Sequence, residues 1–288
     1  MSFLHFTTQQ LQGGGKYNTK CKIGNWYEDM ELEEIKFKDY LKRKEDSKLL
    51  VSSKENKYSS SLKRLKLEQC PIKNDYKLLV TDHYFAFQNA KTKGFLVADI
   101  DDKNPNHDMA FAVTTNPAMD FACPRNLFKF EKYEKSDDNI IKYGEKICLV
   151  THDELSKEKL YLYSQLISPQ SYSRFSRNQE VLVNSKRDYS TCWVIEFLDP
   201  INRVKFEGQP IILNEAFIIR HCQTGRLLAS DLIDYNNDYG REFEVCCFNF
   251  MSSNKYQTLI SEKVGTLKID TKTKVELDNN IWRVVDEL

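Results

Sequence analysis

Three landmarks recur in the same order, three times, between residue 76 and residue 288. This repetition constrains the fold more than any other feature of the 288-residue chain. The first landmark is a β-prone run, a polar turn and a second β-prone run. It reads "HYFAFQNAKTKGFLVADI" at 83–100, "KICLVTHDELSKEKLYLYSQL" at 146–166 and "EAFIIRHCQTGRLLASDL" at 215–232. The second is a short apolar strand: "FAVTT" at 111–115, "EVLVN" at 180–184 and "EVCCF" at 244–248. The third is an aromatic-led strand that closes each unit: "LFKFE" at 127–131, "CWVIEF" at 192–197 and "IWRVV" at 281–285. Phe128, Trp193 and Trp282 hold equivalent places. Gly94 and Gly225 fall at matching turns, where positive φ is expected.

A short β unit cannot bury its apolar face alone, so three such units must share a core. Units that close on one another also remove most exposed strand edges. The expected fold is therefore mainly β: a β-trefoil-like, MIR-type barrel over 76–288, with repeats at about 76–131, 140–198 and 211–286. An extra stretch at 251–279 reads as an added hairpin. Ahead of the barrel, 1–21 reads as a flexible tip and 22–75 as an N-terminal helix followed by a basic arm. Within that arm 45–70 is polar and serine-rich, as in a linker or extended segment.

The helix falls in "KIGNWYEDMELEEIKFKDYLKRK" at 22–44. On a helical wheel Trp26, Met30, Phe37, Tyr40 and Leu41 gather on one face, with Leu32 and Ile35 opposite. Asn25 suits the N-cap. Glu28, Asp29, Glu31, Glu33 and Glu34 fill the first turns and Lys42, Arg43 and Lys44 the last, an order that complements the helix dipole.

The 42 basic and 42 acidic side chains cancel, so no global field marks a nucleic-acid or membrane binder. No apolar run reaches the ~20 residues of a membrane span, and the first residues lack the apolar core of a signal peptide. Eight cysteines form no C-x-x-C pair and mostly occupy apolar runs. They read as small buried hydrophobes in a reducing, cytosol-continuous compartment rather than as a disulfide framework. His221 and Cys222 are adjacent on a strand and so face opposite ways, which argues against a nucleophile–base pair between them. His83, His107 or His152 would have to supply a base from elsewhere. No zinc spacing and no phosphate-binding glycine loop occurs. "DIDDKNPNHD" and "DYNNDYGREFE" are rich in oxygen ligands but depart from a calcium loop, and read as solvated loops. Trp193 and Trp282 lack the preceding glutamine of the sugar-binding trefoil repeat and read as core anchors.

Several strings together resemble the cilia- and flagella-associated protein 161 family. The first is G-N-W-x-E-D…E-E…D-[FY]-L, here Gly24, Asn25, Trp26, Glu28, Asp29, Glu33, Glu34, Asp39 and Leu41. The second is I-x-H-C-x-T-x-R-x-L-A, from Ile219 to Ala229. "YGEKICLV" and Cys192, Trp193, Phe197, Asp199 and Pro200 agree as well, and the similarity runs from about 22 to 250. The resemblance implies a structural, non-catalytic microtubule inner protein without cofactor or metal. Such a protein lies in the lumen of ciliary doublet microtubules, in the A-tubule near its seam. It would bind the α/β-tubulin lattice and other inner proteins. The residues expected at partner contacts are Gly24, Asn25, Trp26, Tyr27, Glu28 and Asp29, with Arg220 and Arg226 as a second surface. The alternatives are a soluble trefoil module for a small ligand, such as a sugar or inositol phosphate, and an enzyme using Cys222 or Cys247.

Overall fold

The computed structural model describes residues 26–46, 48–66, 78–81, 83–104, 107, 109–119, 121–134, 138–251, 263–265 and 275–285. The chain divides into two compact units, Met1–Leu62 and Lys63–Leu288. The tip expected at 1–21 lies outside the described residues.

The described residues of the first unit are mostly helical. α1 spans Trp26–Glu45, beginning just after Asn25, which is itself outside the described residues. Its solvent side is tied by two i,i+4 ion pairs, Lys38–Glu34 and Arg43–Asp39, each 2.8 Å. α2 spans Leu50–Arg64, where an extended arm was expected. The physical reason is visible in its composition. No glycine or proline interrupts 45–70. Leu50, Val51, Tyr58 and Leu62 repeat at helical spacing. The serines do not compete with the helix, because Ser60 and Ser61 fold their hydroxyls back onto the Lys57 carbonyl at 2.7 and 3.0 Å.

The second unit is mainly β, with twelve antiparallel strands among the described residues, and each of these falls on one of the repeated runs. They are β1 Tyr84–Asn89, β2 Phe95–Lys103, β3 Ala110–Asn116, β4 Leu127–Lys132, β5 Lys146–Thr151, β6 Tyr161–Ser164, β7 Gln179–Asn184, β8 Trp193–Phe197, β9 Ala216–His221, β10 Leu228–Asn237, β11 Gly240–Cys247 and β12 Ile281–Val285. Six of them pair in a circuit: β1 with β4, β4 with β5, β5 with β8, β8 with β9, β9 with β12, and β12 back to β1. The other six form three hairpin pairs, β2–β3, β6–β7 and β10–β11. Their second strands meet one another, β3 with β7, β7 with β11 and β11 with β3.

Alternation along the strands divides the faces. Phe85 and Phe87 of β1 enter the main core with Phe128, Phe130, Ile195, Phe217 and Val284. Ala86 between them faces a separate cluster with Ala122 and Leu127. Trp193 and Trp282 are fully buried in the main core. Each indole satisfies its one donor on the first strand of a hairpin: Trp193 Nε1–H donates to the Leu162 carbonyl at 2.8 Å, and Trp282 Nε1–H to the Leu228 carbonyl at 3.0 Å. Phe128 occupies the third place and needs no acceptor.

One fully buried ion pair also lies in this unit. Arg125 Nη2 is 3.2 Å from Glu242 Oε1, and neither side chain is exposed. Thr114, Asn116 and Asn237 donate to the same carboxylate. Arg125 Nε–H bonds the Ala98 carbonyl at 3.2 Å, and the guanidinium lies 3.5 Å from the Tyr239 ring centre. The carboxylate is thus well supported, as a charge removed from water requires, while Arg125 Nη1 meets no acceptor.

Three details depart from expectation. At the first turn Lys93, not Gly94, takes positive φ, at 56°, whereas Gly225 does take it, at 67°. Gly94 is required for closeness instead: a Cβ there would stand 3.1–3.2 Å from the Asn116–Pro117 backbone. The carboxylate-rich runs expected as loops are largely strand, since β2 continues to Lys103 and β10 to Asn237. The hairpin expected at 251–279 lies mostly outside the described residues, though Met251 and Glu276 bridge antiparallel. Because Trp282 fills the core and holds a carbonyl, Trp282→Ala is expected to cost about 3–5 kcal/mol, with Trp282→Phe clearly milder. Urea denaturation followed by circular dichroism measures both.

Candidate partner-binding surfaces

α1 is the first candidate surface. Its charge order places Lys42, Arg43 and Lys44 in the last turn, complementing the negative end of the helix dipole. Large apolar side chains stand in solvent on both of its faces: Met30 is 67% exposed, Phe37 60% and, on the opposite side, Ile35 59%. An apolar stripe on a helix ordinarily turns toward a core, whereas these side chains remain exposed. Of the expected contact residues, Gly24 and Asn25 lie outside the described residues. Trp26, Tyr27, Glu28 and Asp29 form the first turn of the helix.

The second candidate surface is the turn between β9 and β10. Arg220 does not project from it as a free cation. Its guanidinium forms a two-pronged pair with Glu196 of β8, Nη2 to Oε2 being 2.8 Å, and Nη1–H donates to the Gly225 carbonyl at 2.9 Å. The Glu196 carboxylate holds Arg220 further into its charged form. Glu196 is also approached by Arg203 at 3.5 Å, and Arg203 reaches Glu276 at 2.8 Å. Arg220 therefore braces the turn from within. Arg226 lies half-buried on the far side of the turn, its carbonyl accepting the His221 N–H at 2.8 Å.

His221 beside it is fully buried. Its Nδ1 lies 2.9 Å from Thr224 Oγ1 and its Nε2 2.8 Å from the Ser190 carbonyl, with the ring packed 4.8 Å from that of Trp193. Burial lowers its affinity for a second proton. Among the described residues no three His, Cys, Asp or Glu side chains converge as metal ligands, and no helix is long and apolar enough to cross a membrane.

A third surface escaped sequence reasoning because its residues come from every repeat. A small cleft of about 40 Å³ opens where β3, β7 and β11 meet, lined by Val113, Val181 and Val245. Around its rim Arg174 grips Asp102 with two bonds of 3.0 Å and lies 5.0 Å over the Tyr235 ring, whose hydroxyl also donates to Asp102. Glu244 accepts the backbone N–H groups of Phe175 and Ser176 at 2.8 and 2.9 Å. Glu180 faces Asn104, which donates to it, and His107 Nε2 at 3.8 Å.

Burial pushes the Glu180 carboxyl up to about 7, against the opposing pull of Asn104 and Arg174 and with the Glu244 charge adding to the rise. A carboxyl whose folded pKa exceeds its unfolded value binds more protons when folded, so its contribution is full at low pH and is lost as pH rises toward 7. Glu180→Gln is therefore expected to flatten the decline of melting temperature between about pH 5 and 7. Paired thermal scans of both proteins across that range give the difference directly.

Comparison with known proteins bears on what these surfaces serve. Residues 107–260, just over half of the chain, match the family described as the Cilia- and flagella-associated protein 161-like domain. Cilia- and flagella-associated protein 161 of Danio rerio is 28% identical over 259 residues, covering 83% of this chain and 84% of that one. The Mus musculus protein of the same name is 26% identical, covering 84% of each. In three dimensions the β unit is similar to the SDF2-like protein from Arabidopsis thaliana, with a TM-score of 0.52 at 17% identity over 72% of this chain and 94% of that one. It is similar also to a Caenorhabditis elegans protein of unknown function, with a TM-score of 0.50 at 17% identity over 74% and 98%. At that identity the two structures speak to fold alone. The sequence match over the β unit, joined to the relatives that extend across most of the chain, places this protein in the cilia- and flagella-associated protein 161 family.

Proposed function

We propose that this protein is a structural, non-catalytic microtubule inner protein of the cilium or flagellum. It binds the lumenal wall of doublet microtubules and neighbouring inner proteins, and so stabilises the axoneme. The family's name carries the association with cilia and flagella. The lumenal position, in the A-tubule near the seam, is what the sequence resemblance implies. We read the β unit as a β-trefoil-like barrel. The six-strand circuit closed by β12 against β1 supports this reading, as do the three hairpins whose second strands meet.

The observation that carries the proposal is α1, with bulky apolar side chains exposed on both faces. Such a helix serves a scaffold that is gripped by its surroundings better than it serves a free-standing enzyme or ligand carrier. Charge adds to this. Between Lys36 and Lys66 there are eleven basic and four acidic side chains, and an acidic lattice such as tubulin attracts a segment of that sign, less so as salt rises.

Fractionation of purified axonemes tests the reading. The protein is expected to resist high-salt washing and to leave only as detergent opens the tubulin wall, followed by mass spectrometry. Recovery in the soluble matrix would overturn it. Phe37→Ala with Tyr40→Ala is expected to lower retention on doublets severalfold. The stability of the β unit should change by no more than about 0.5 kcal/mol, as for surface positions generally.

A further inference from the structure

Cys192 and Cys222 stand apart from the other cysteines. Cys123, Cys148, Cys246 and Cys247 are buried, and burial raises each of their thiols toward inertness. Cys192 and Cys222 instead face each other, with their sulfurs 3.0 Å apart. The β8–β9 ladder brings them together. Its last rung pairs Trp193 with His221, and the next places Cys192 opposite Cys222, with the Cys222 N–H donating to the Cys192 carbonyl at 2.9 Å. Side chains alternate, so while Trp193 and His221 turn into the core the two cysteines turn to the other face. Cys192 is buried there, whereas Cys222 is only half-buried, next to the exposed Gln223.

We propose that Cys192 and Cys222 form a redox-active dithiol site that reacts with hydroperoxides and closes to a reversible cross-strand disulfide. Backbone geometry already meets the requirement. Directly opposed residues of an antiparallel pair have Cα atoms about 4.5–5.5 Å apart, inside the ~4.4–6.8 Å that a disulfide spans. Closing the bridge takes side-chain rotation and no shift of register.

The two sulfurs have different parts. The Cys192 thiol donates to Cys222, and this bond together with nearby Lys146 favours the thiolate at Cys222. The same contact and burial keep Cys192 protonated. Cys222, the more accessible of the two, is therefore the nucleophile. Its thiolate attacks an oxygen of the hydroperoxide, the O–O bond breaks, and the leaving alkoxide takes a proton from water to become the alcohol. Cys222 is now a sulfenic acid. Cys192 then gives up its proton and attacks the Cys222 sulfur, expelling hydroxide, which takes that proton and leaves as water. Two thiols are oxidised to one disulfide, and one hydroperoxide is reduced to alcohol and water. The bridge ties β8 to β9 next to the Glu196–Arg220 pair and fixes the turn that carries Arg226.

The test uses the full reduced chain titrated with hydrogen peroxide, alkylated, digested and analysed by mass spectrometry. The expected product is a 192–222 linked peptide that appears before any other cysteine is modified and is reversed by dithiothreitol. In Cys192→Ser the Cys222 sulfenic acid is expected to persist and to be trapped by dimedone, and in Cys222→Ser Cys192 stays alkylatable. The proposal fails if both cysteines alkylate in full after peroxide has consumed Cys21 or Cys70. It fails equally if Cys222 passes to the sulfinic acid without bridging in the unsubstituted protein.

Discussion

The β unit depends on a constraint rather than on one strong bond: its strands have to close on themselves. None of the three repeats can cover its own apolar face, and each alone would leave edges open to other chains. The pairing of β12 with β1, Ala86 opposite Val285 through Asn89 opposite Trp282, completes the six-strand circuit. Only then do Phe85, Phe87, Trp193, Phe217 and Trp282 share a single core. The indole hydrogen bonds to Leu162 and Leu228 register the hairpins on that core.

Polar groups do a second job, which is to make the packing specific. The Arg125–Glu242 pair contributes little net stability, because desolvation consumes most of the attraction. It does select one arrangement, since Glu242 is satisfied only when Thr114, Asn116 and Asn237 stand where they do. The Arg220–Glu196–Arg203–Glu276 chain does the same near the surface. These charges are satisfied within the β unit, whereas large apolar side chains of α1 remain exposed.

What was legible in the sequence follows from this division. The twelve strands, α1 and the buried tryptophans are written in local patterns of period 2 or 3.6, and these patterns predict them well. α2 was missed because serine counts against a helix by composition, while the back-bonding of Ser60 and Ser61 is a matter of geometry. Gly94 was assigned to positive φ because glycine usually signals it. The actual demand, closeness to the Asn116 backbone, comes from a different strand. The pairing of Arg220 with Glu196 was not legible because the two are twenty-four residues apart. The rim of the cleft at Asp102, Arg174, Glu180 and Tyr235, and the facing of Cys192 and Cys222, likewise arise from strand pairing that no short window of sequence contains.

The circuit also has a meaning in time. β1 meets β12 nearly two hundred residues further along the chain. At a synthesis rate of about 5–20 residues per second, that separation is on the order of 10–40 s. Throughout that interval the ribosome has delivered β1 with one edge unpaired and Phe85 and Phe87 without their final neighbours. The nascent chain is at its most adhesive well before it is complete, so a half-built β unit needs shelter until its last strand is made.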